Sequence, residues 1–245
     1  MRAILLAAGR GLRLQQPAEA ELPKCLLEFG GCTLLERHLQ LLRGAGVEEV
    51  VLALGYRHEA VGAHLATLGA TPRIVLNPRF ELGSVVTLHT TADALIAGGD
   101  VLVMDADVLY HAAIMSALLQ GAPPCNRLLI DRDFEPGDEP VKVLVRAGVP
   151  LELRKQPDLG IEYDSIGESV GFFRFSETAA RRLAAIVSDY VDGGRAALPH
   201  EEAVRDLLRE ASQRFEVVDV TGTPWIEIDY ARDVARARDE ILPRL

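Results

Sequence analysis

Two glycines and three cations near the amino terminus form the clearest chemical pattern in the chain. Leu6-Ala7-Ala8-Gly9-Arg10-Gly11-Leu12-Arg13-Leu14 closes an apolar run, and Pro23-Lys24-Cys25-Leu26-Leu27 follows soon after. Gly9 and Gly11 let backbone N–H groups approach a ligand closely, and successive N–H groups in such a turn make an anion-binding nest. Arg10, Arg13 and Lys24 add the charge that phosphates need. A dinucleotide fingerprint would require a third glycine where Leu14 stands, and no Walker A loop occurs anywhere in the chain.

Paired carboxylates are the second chemical element. Asp105-Ala106-Asp107 ends one apolar run, and Trp225-Ile226-Glu227-Ile228-Asp229 ends another. The period of two along a strand aims alternate side chains the same way, so each run presents two acids together. Hard oxygen donors beside a phosphate site suit Mg²⁺, which takes one or two carboxylates plus phosphates and water. The six histidines show no metal-ligand spacing, which argues against zinc.

These groups need a scaffold that brings loop and acids to one edge. Apolar strands at Ile4–Ala8, Val50–Leu54, Arg73–Leu76 and Asp100–Met104 alternate with helices. The first helix opens at the capping box Thr33-x-x-Glu36, and others are expected over Arg57–Leu68 and Val85–Ile96. That alternation is the βαβ pattern of a parallel sheet, whose ligands sit beyond the carboxyl ends of the strands. From about Pro123 the texture changes to short strands, Arg127–Asp131, Val141–Arg146 and Leu151–Arg154. Turn residues such as Glu135-Pro136-Gly137-Asp138 separate them, so antiparallel hairpins are expected. Ser169–Phe175 reads as a further strand, Glu177–Val191 and Glu201–Ala211 as helices, and Val217–Val220 and Trp225–Asp229 as late strands before a terminal helix from about Tyr230. One domain over 1–245 is expected: a nucleotide-binding core to about 122, a hairpin subregion over 123–175, and carboxyl-terminal helices with the second acidic strand over 176–245.

Bulk properties narrow the field. The net charge of −10, from 36 acidic and 26 basic residues, argues against nucleic acid and anionic membranes as partners. No apolar run approaches the ~18 residues of a membrane span. The amino terminus lacks a signal-peptide shape, and Cys25, Cys32 and Cys125 cannot form a paired framework, which suits buried free thiols in the cytoplasm.

Together the L-A-A-G-x-G-x-R-L and P-K-x-L-L segments, the D-A-D strand end and the W-x-E-I-D run resemble the sugar-phosphate nucleotidyltransferase superfamily. The texture is most similar to its small CTP-dependent cytidylyltransferases, which act on phosphocholine or 2-aminoethylphosphonate. The resemblance implies a Rossmann-like (GT-A-like) α/β fold, mostly parallel and flanked by helices, with a small antiparallel hairpin subregion. It implies transfer of CMP from CTP to a small phosphorylated acceptor with release of pyrophosphate. It also implies that Asp107 and Asp229 hold Mg²⁺ with Asp105 nearby. By the same resemblance Lys24 and Arg13 contact the triphosphate, and the Leu6–Gly11 backbone holds base and phosphates. Ser84 falls in the segment to which base contacts are assigned in relatives. There the chain reads Glu81-Leu82-Gly83-Ser84-Val85-Val86-Thr87 rather than carrying Asn-Asn, and Leu12 stands where many relatives have Thr or Ser. A sugar-1-phosphate enzyme using UTP, dTTP or GTP is therefore the alternative, with a non-catalytic nucleotide-binding scaffold as a third reading.

A phosphate or phosphonate oxygen is already a competent nucleophile, so the absence of a Ser-His or Cys-His constellation fits this chemistry. On the acceptor side, Lys142 and Lys155 are candidates for its phosphate. Trp225, Glu227, Glu201, Glu202 and Tyr190 are candidates for an acidic, aromatic recess holding an ammonium group by ion pairing and cation–π attraction. Aromatic residues are only 5% of the chain, so a complete choline cage is not expected, and a primary amine or polyol acceptor fits as well. The hairpin region is the candidate contact for a homodimer.

Overall fold

The apolar amino-terminal run forms β1 (Arg2–Ala7), an inner strand of the sheet on which the site is built. The structure, a computed structural model, describes residues 1–14, 22–121, 126–210 and 212–245. Cys125, the expected subregion boundary at Pro123 and the expected helix end at Ala211 lie outside the described residues.

A 3-10 turn at Lys24–Leu26 and a ribbon of β2 (Glu28–Phe29) and β3 (Cys32–Thr33) lead into α1 (Leu34–Gly44). The Thr33 hydroxyl accepts from the Glu36 amide and caps that helix as expected. β4 (Glu49–Leu54), α2 (His58–Thr67) and β5 (Arg73–Leu76) follow. The single helix expected over 85–96 is two helices, α3 (Ser84–Thr90) and α4 (Ala92–Ile96). They meet at buried Thr91, whose hydroxyl donates to the Leu88 carbonyl. Such a local side-chain bond gives the backbone an alternative to the helical ladder.

Next come β6 (Val101–Asp105), β7 (Val108–Tyr110), α5 (Ala112–Leu119), β8 (Asn126–Asp131), β9 (Lys142–Arg146), β10 (Val149–Arg154) and β11 (Ser165–Phe175). The chain ends through α6 (Glu177–Asp192), α7 (His200–Leu208), β12 (Phe215–Asp219), β13 (Trp225–Glu227) and α8 (Ala231–Arg236).

Nine strands make one mixed sheet. β5, β4, β1 and β6 run parallel, and β11 pairs antiparallel with β6. β11 is long enough to serve two neighbourhoods: its first residues pair with β9 and its last with β6, while β8 pairs with it on both sides of a register shift between Ser169 and Phe173. Gly171 lies within that shift at φ +78°, and a Cβ there would sit 2.5 Å from Asp105 Oδ2, so glycine is required for the strand to pass the acid. β8, expected in a hairpin, instead lies within the main sheet between β11 and a parallel β12. Only β9 and β10 form the hairpin. β13 is outside this sheet altogether and pairs antiparallel with β7.

Strand alternation divides the core. Ile4, Leu6, Val103 and Phe173 pack under α3, α4, α6 and α7, while Leu5, Leu52, Met104 and Phe172 pack under α1, α2 and α5. A third cluster joins Leu14, Leu27 and Phe29 to Ile226, Ile228, Val234 and Ile241, and so fastens the carboxyl-terminal acids beside the first loop. Among the described residues no helix is long and apolar enough to cross a membrane.

Candidate active site

The glycine turn leaves β1 at its carboxyl end, and a cavity of about 610 Å³ opens there. Leu6, Ala8, Gly9, Arg10, Gly11 and Arg13 form one wall, and Lys24, Asp105, Asp107, Glu227 and Asp229 form another. Gly11 takes φ +65°, and a Cβ there would come within 3.1 Å of the Lys24 stem, which lies across the turn. The Ala7 side chain packs against the second core cluster, because neighbouring strand residues alternate, while the residue itself lines a small pocket with Gly9, Gly11, Lys24 and Asp107 beneath the turn.

Lys24 Nζ donates to Asp107 Oδ2 at 2.8 Å and to Asp229 Oδ1 at 2.7 Å. Asp107 lies in the tight turn from β6 to β7, and the Ile228 amide donates to the Asp107 carbonyl at 3.0 Å. Asp229 is fixed from the other side, since the Asp229 and Tyr230 amides both donate to the Asp233 carboxylate at the start of α8. The two acids thus meet through the β7–β13 ribbon. Burial alone would lower the Lys24 pKa, but the adjacent Asp107 and Asp229 charges outweigh it and hold the ammonium above its ordinary range. Carboxylate oxygens of Asp107, Glu227 and Asp229 lie within 4.8 Å of one another. This all-oxygen donor set fits a hard divalent cation.

A second group stands on the cavity floor. Asp105, His200 and Glu201 also offer ligand-type atoms within 4.8 Å of one another. Burial, followed by the nearby Glu201, Asp107 and Glu227 charges, pushes the Asp105 carboxyl well above its ordinary pKa. Ser84 reaches the cavity, where its hydroxyl accepts from the His200 amide at 2.8 Å and lies 3.1 Å from His200 Nδ1. No sequence spacing linked His200 to this place; only the packing of α7 on α3 brings it here.

The cavity is also lined by an ion-pair knot that the sequence did not show. Glu139 receives Arg13 Nη1 at 2.6 Å, Lys155 Nζ at 2.8 Å and the Tyr230 hydroxyl at 3.0 Å. The Lys155 hydrogen bond, with that of Tyr230 and the two cationic charges, pulls the Glu139 pKa down to about 2. Arg13 Nη1 also lies 3.2 Å from Asp229 Oδ2. Arg10 sits over the Tyr56 ring, 5.6 Å from its centroid.

Several acceptor candidates lie elsewhere. Lys142 Nζ donates to the Gly137, Pro140 and Lys155 carbonyls and staples the loop before β9, so it is outside the cavity. Glu202 pairs with Arg154 through both its oxygens, one helix position past cavity-facing Glu201 and hence turned to β10. The Tyr190 hydroxyl donates to Asp206 at 2.7 Å within the α6–α7 contact. Trp225 donates through Nε1 to Asp131 Oδ2 at 2.8 Å and lines a neighbouring recess of about 400 Å³ with Phe134, Glu168 and Tyr230. Glu139, Glu227 and Asp229 border both spaces. Within the recess, burial and then the Asp131 charge push Glu168 up to about 7. Of the described thiols, Cys25 is buried, and burial pushes it up to about 12, whereas Cys32 is partly open rather than buried as expected.

Known proteins are similar to this one over nearly the whole chain. A bifunctional IPC transferase and DIPP synthase of Rubrobacter xylanophilus is 29% identical over 98% of this chain and 52% of its own length. A CMP-5'-(3-aminopropyl)phosphonate synthase of Streptomyces rubellomurinus is 27% identical over 97% of this chain and 38% of its own. The chain thus spans about half or less of these two relatives. The structure of an inositol-1-phosphate CTP transferase from T. maritima superposes with a TM-score of 0.76 at 20% identity, covering 98% of this chain and 97% of that one, and shows the same fold. The profile of the MobA-like NTP transferase domain matches residues 3–213, and the chain belongs to that family.

Proposed function

We propose that this protein transfers CMP from CTP to a small phosphorylated alcohol or phosphonate and releases pyrophosphate, with Mg²⁺ as its metal. The observation that carries the reading is the seating of Lys24 between Asp107 and Asp229, directly over the glycine turn. An acceptor phosphoryl oxygen attacks the α-phosphorus in line, the new P–O bond forms, and the bond to pyrophosphate breaks. The chain's residues act by alignment and charge. N–H groups of the glycine turn cradle the triphosphate, while Lys24 and Arg13 offset charge spreading over the phosphoryl oxygens as the transition state forms. Asp107, Glu227 and Asp229 would hold the divalent ion, which when bound supplies further charge neutralisation between the two anionic substrates. No side chain has to remove a proton from the nucleophile.

The recess beside the cavity supports an acceptor with a cationic head group. Trp225, Phe134 and Tyr230 supply ring surface, and Asp131 and Glu168 supply charge of the matching sign. The Streptomyces relative, named for a CMP-linked aminopropylphosphonate, supports both the choice of CTP and an amine-bearing acceptor. Pyrophosphate release tests the reading directly, crossing four nucleoside triphosphates with phosphocholine, 2-aminoethylphosphonate, polyol phosphates and sugar 1-phosphates, with and without Mg²⁺. CTP with an amine-bearing acceptor and Mg²⁺ is expected to give the highest rate. No release above background in any combination would overturn the reading.

A further inference from the structure

The groups gathered on Glu139 are the groups that recognise a phosphoryl anion. Two cations, Arg13 and Lys155, donate to the same oxygen, Oε2, and a hydroxyl, Tyr230, donates to the other. They come from three separate places: the glycine turn, the segment after β10, and the residue that caps α8. Without an anion between them Arg13 and Lys155 would repel each other, so the carboxylate is what holds this part of the site in shape. Charge-assisted contacts of this kind are what phosphate binding uses.

Glu139 is also built to leave. It belongs to the stretch between β8 and β9 that has neither helix nor strand, and its side chain is 48% exposed. Half-exposed ion pairs are individually weak. The base of the loop is held independently, because Lys142 ties the Gly137, Pro140 and Lys155 carbonyls together. The Glu139 side chain can therefore swing away without unravelling the hairpin. It stands where the main cavity meets the acidic, aromatic recess, and its partner Arg13 also approaches Asp229. A phosphoryl group at this junction would face the donor site on one side and keep its head group in the recess on the other.

We propose that Glu139 is an internal surrogate for the acceptor's phosphoryl group, occupying a subsite made by Arg13, Lys155 and Tyr230 that it vacates when the acceptor binds. This rests on the nucleotidyltransferase reading above. A carboxylate with one charge gives way to a phosphoryl group with up to two charges and more oxygens, so the exchange favours the substrate. It also makes weakly held free anions compete with a tethered carboxylate, which makes Glu139 a specificity-determining residue.

Phosphorus NMR titration of methylphosphonate, the smallest acceptor-like anion, into wild type, Glu139→Gln and Glu139→Gln with Lys155→Ala tests this. CTP is titrated in parallel, and melting temperatures are recorded. Glu139→Gln is expected to bind methylphosphonate about five-fold more tightly than wild type, as loss of one competing half-exposed pair predicts, with a smaller gain for CTP, whose phosphates share only Arg13 of the three groups. Adding Lys155→Ala should abolish the gain. Unchanged or weaker methylphosphonate binding by a folded Glu139→Gln protein would overturn the proposal. A gain for CTP alone would overturn it too, since the subsite would then belong to the donor. These measurements need no turnover, so they stand or fall separately from the pyrophosphate-release assay.

Discussion

The two ends of the cavity are held together by different physics. At the proposed donor end, Lys24, Asp107 and Asp229 are only 15%, 21% and 15% exposed, and each is fixed by backbone hydrogen bonds, a tight turn or the third core cluster. At the proposed acceptor end, Arg13, Glu139 and Lys155 are 44%, 48% and 42% exposed, and long side chains rather than backbone join them. Preorganised, partly desolvated charge is what phosphoryl transfer needs, because such groups need no rearrangement at the moment of reaction. Solvent-accessible pairs exchange partners at little cost. On the proposed reading the donor end is a fixed mould, and the acceptor end a latch that yields to its ligand.

Breaking the fixed end is expected to have the largest effect. Asp107→Ala and Lys24→Ala should each lower the rate of pyrophosphate release by ~10²–10³, the usual loss when one preorganised charge is removed. Circular dichroism should show both still folded, and near-normal turnover in either would end the comparison. An intermediate effect is expected in the recess. Trp225→Phe keeps the ring but removes the bond to Asp131. Losing one such bond should raise KM for the acceptor about five-fold, with KM for CTP unchanged. A change in both would mean that the two ends are not separate.

The smallest effect concerns pH. Burial and Asp131 raise Glu168 to about 7, above the ordinary glutamate value of 4.5. The folded protein therefore holds that proton more tightly than the unfolded chain does. This stabilisation is complete below about pH 4.5 and is lost as pH rises through about 7. Glu168→Gln, which cannot ionise, should melt above wild type at pH 8, and the gap should close towards pH 5. A cationic acceptor should narrow the gap at pH 8 by pairing with the ionised glutamate. Parallel melting curves at both pH values would remove Glu168 from the recess chemistry.

Legibility in the sequence follows the same division. β1, β4 and β6 are apolar runs bounded by turn residues, and the glycine loop is contiguous, so local pattern alone reveals them. Asp107 and Asp229 are visible as strand-end acids, although their meeting across the β7–β13 ribbon is not. The misplaced residues fail for identifiable reasons. Glu202 is one helix position off the cavity face, and Lys142 spends its ammonium on three carbonyls. Glu139 sits in a turn-rich stretch without periodicity, where nothing local distinguishes it from Glu135 or Asp138.

By itself the sequence determined the α/β class, the glycine turn and the cations beside it, because these depend on short-range periodicity and on backbone freedom at glycine. Only the tertiary structure decided which acids those cations meet. Lys24 and Asp229 are 205 residues apart and Arg13 and Glu139 are 126 apart. Pairings at that range are set by how β13 packs on β7 and how the loop before β9 folds over the sheet, which no local pattern encodes.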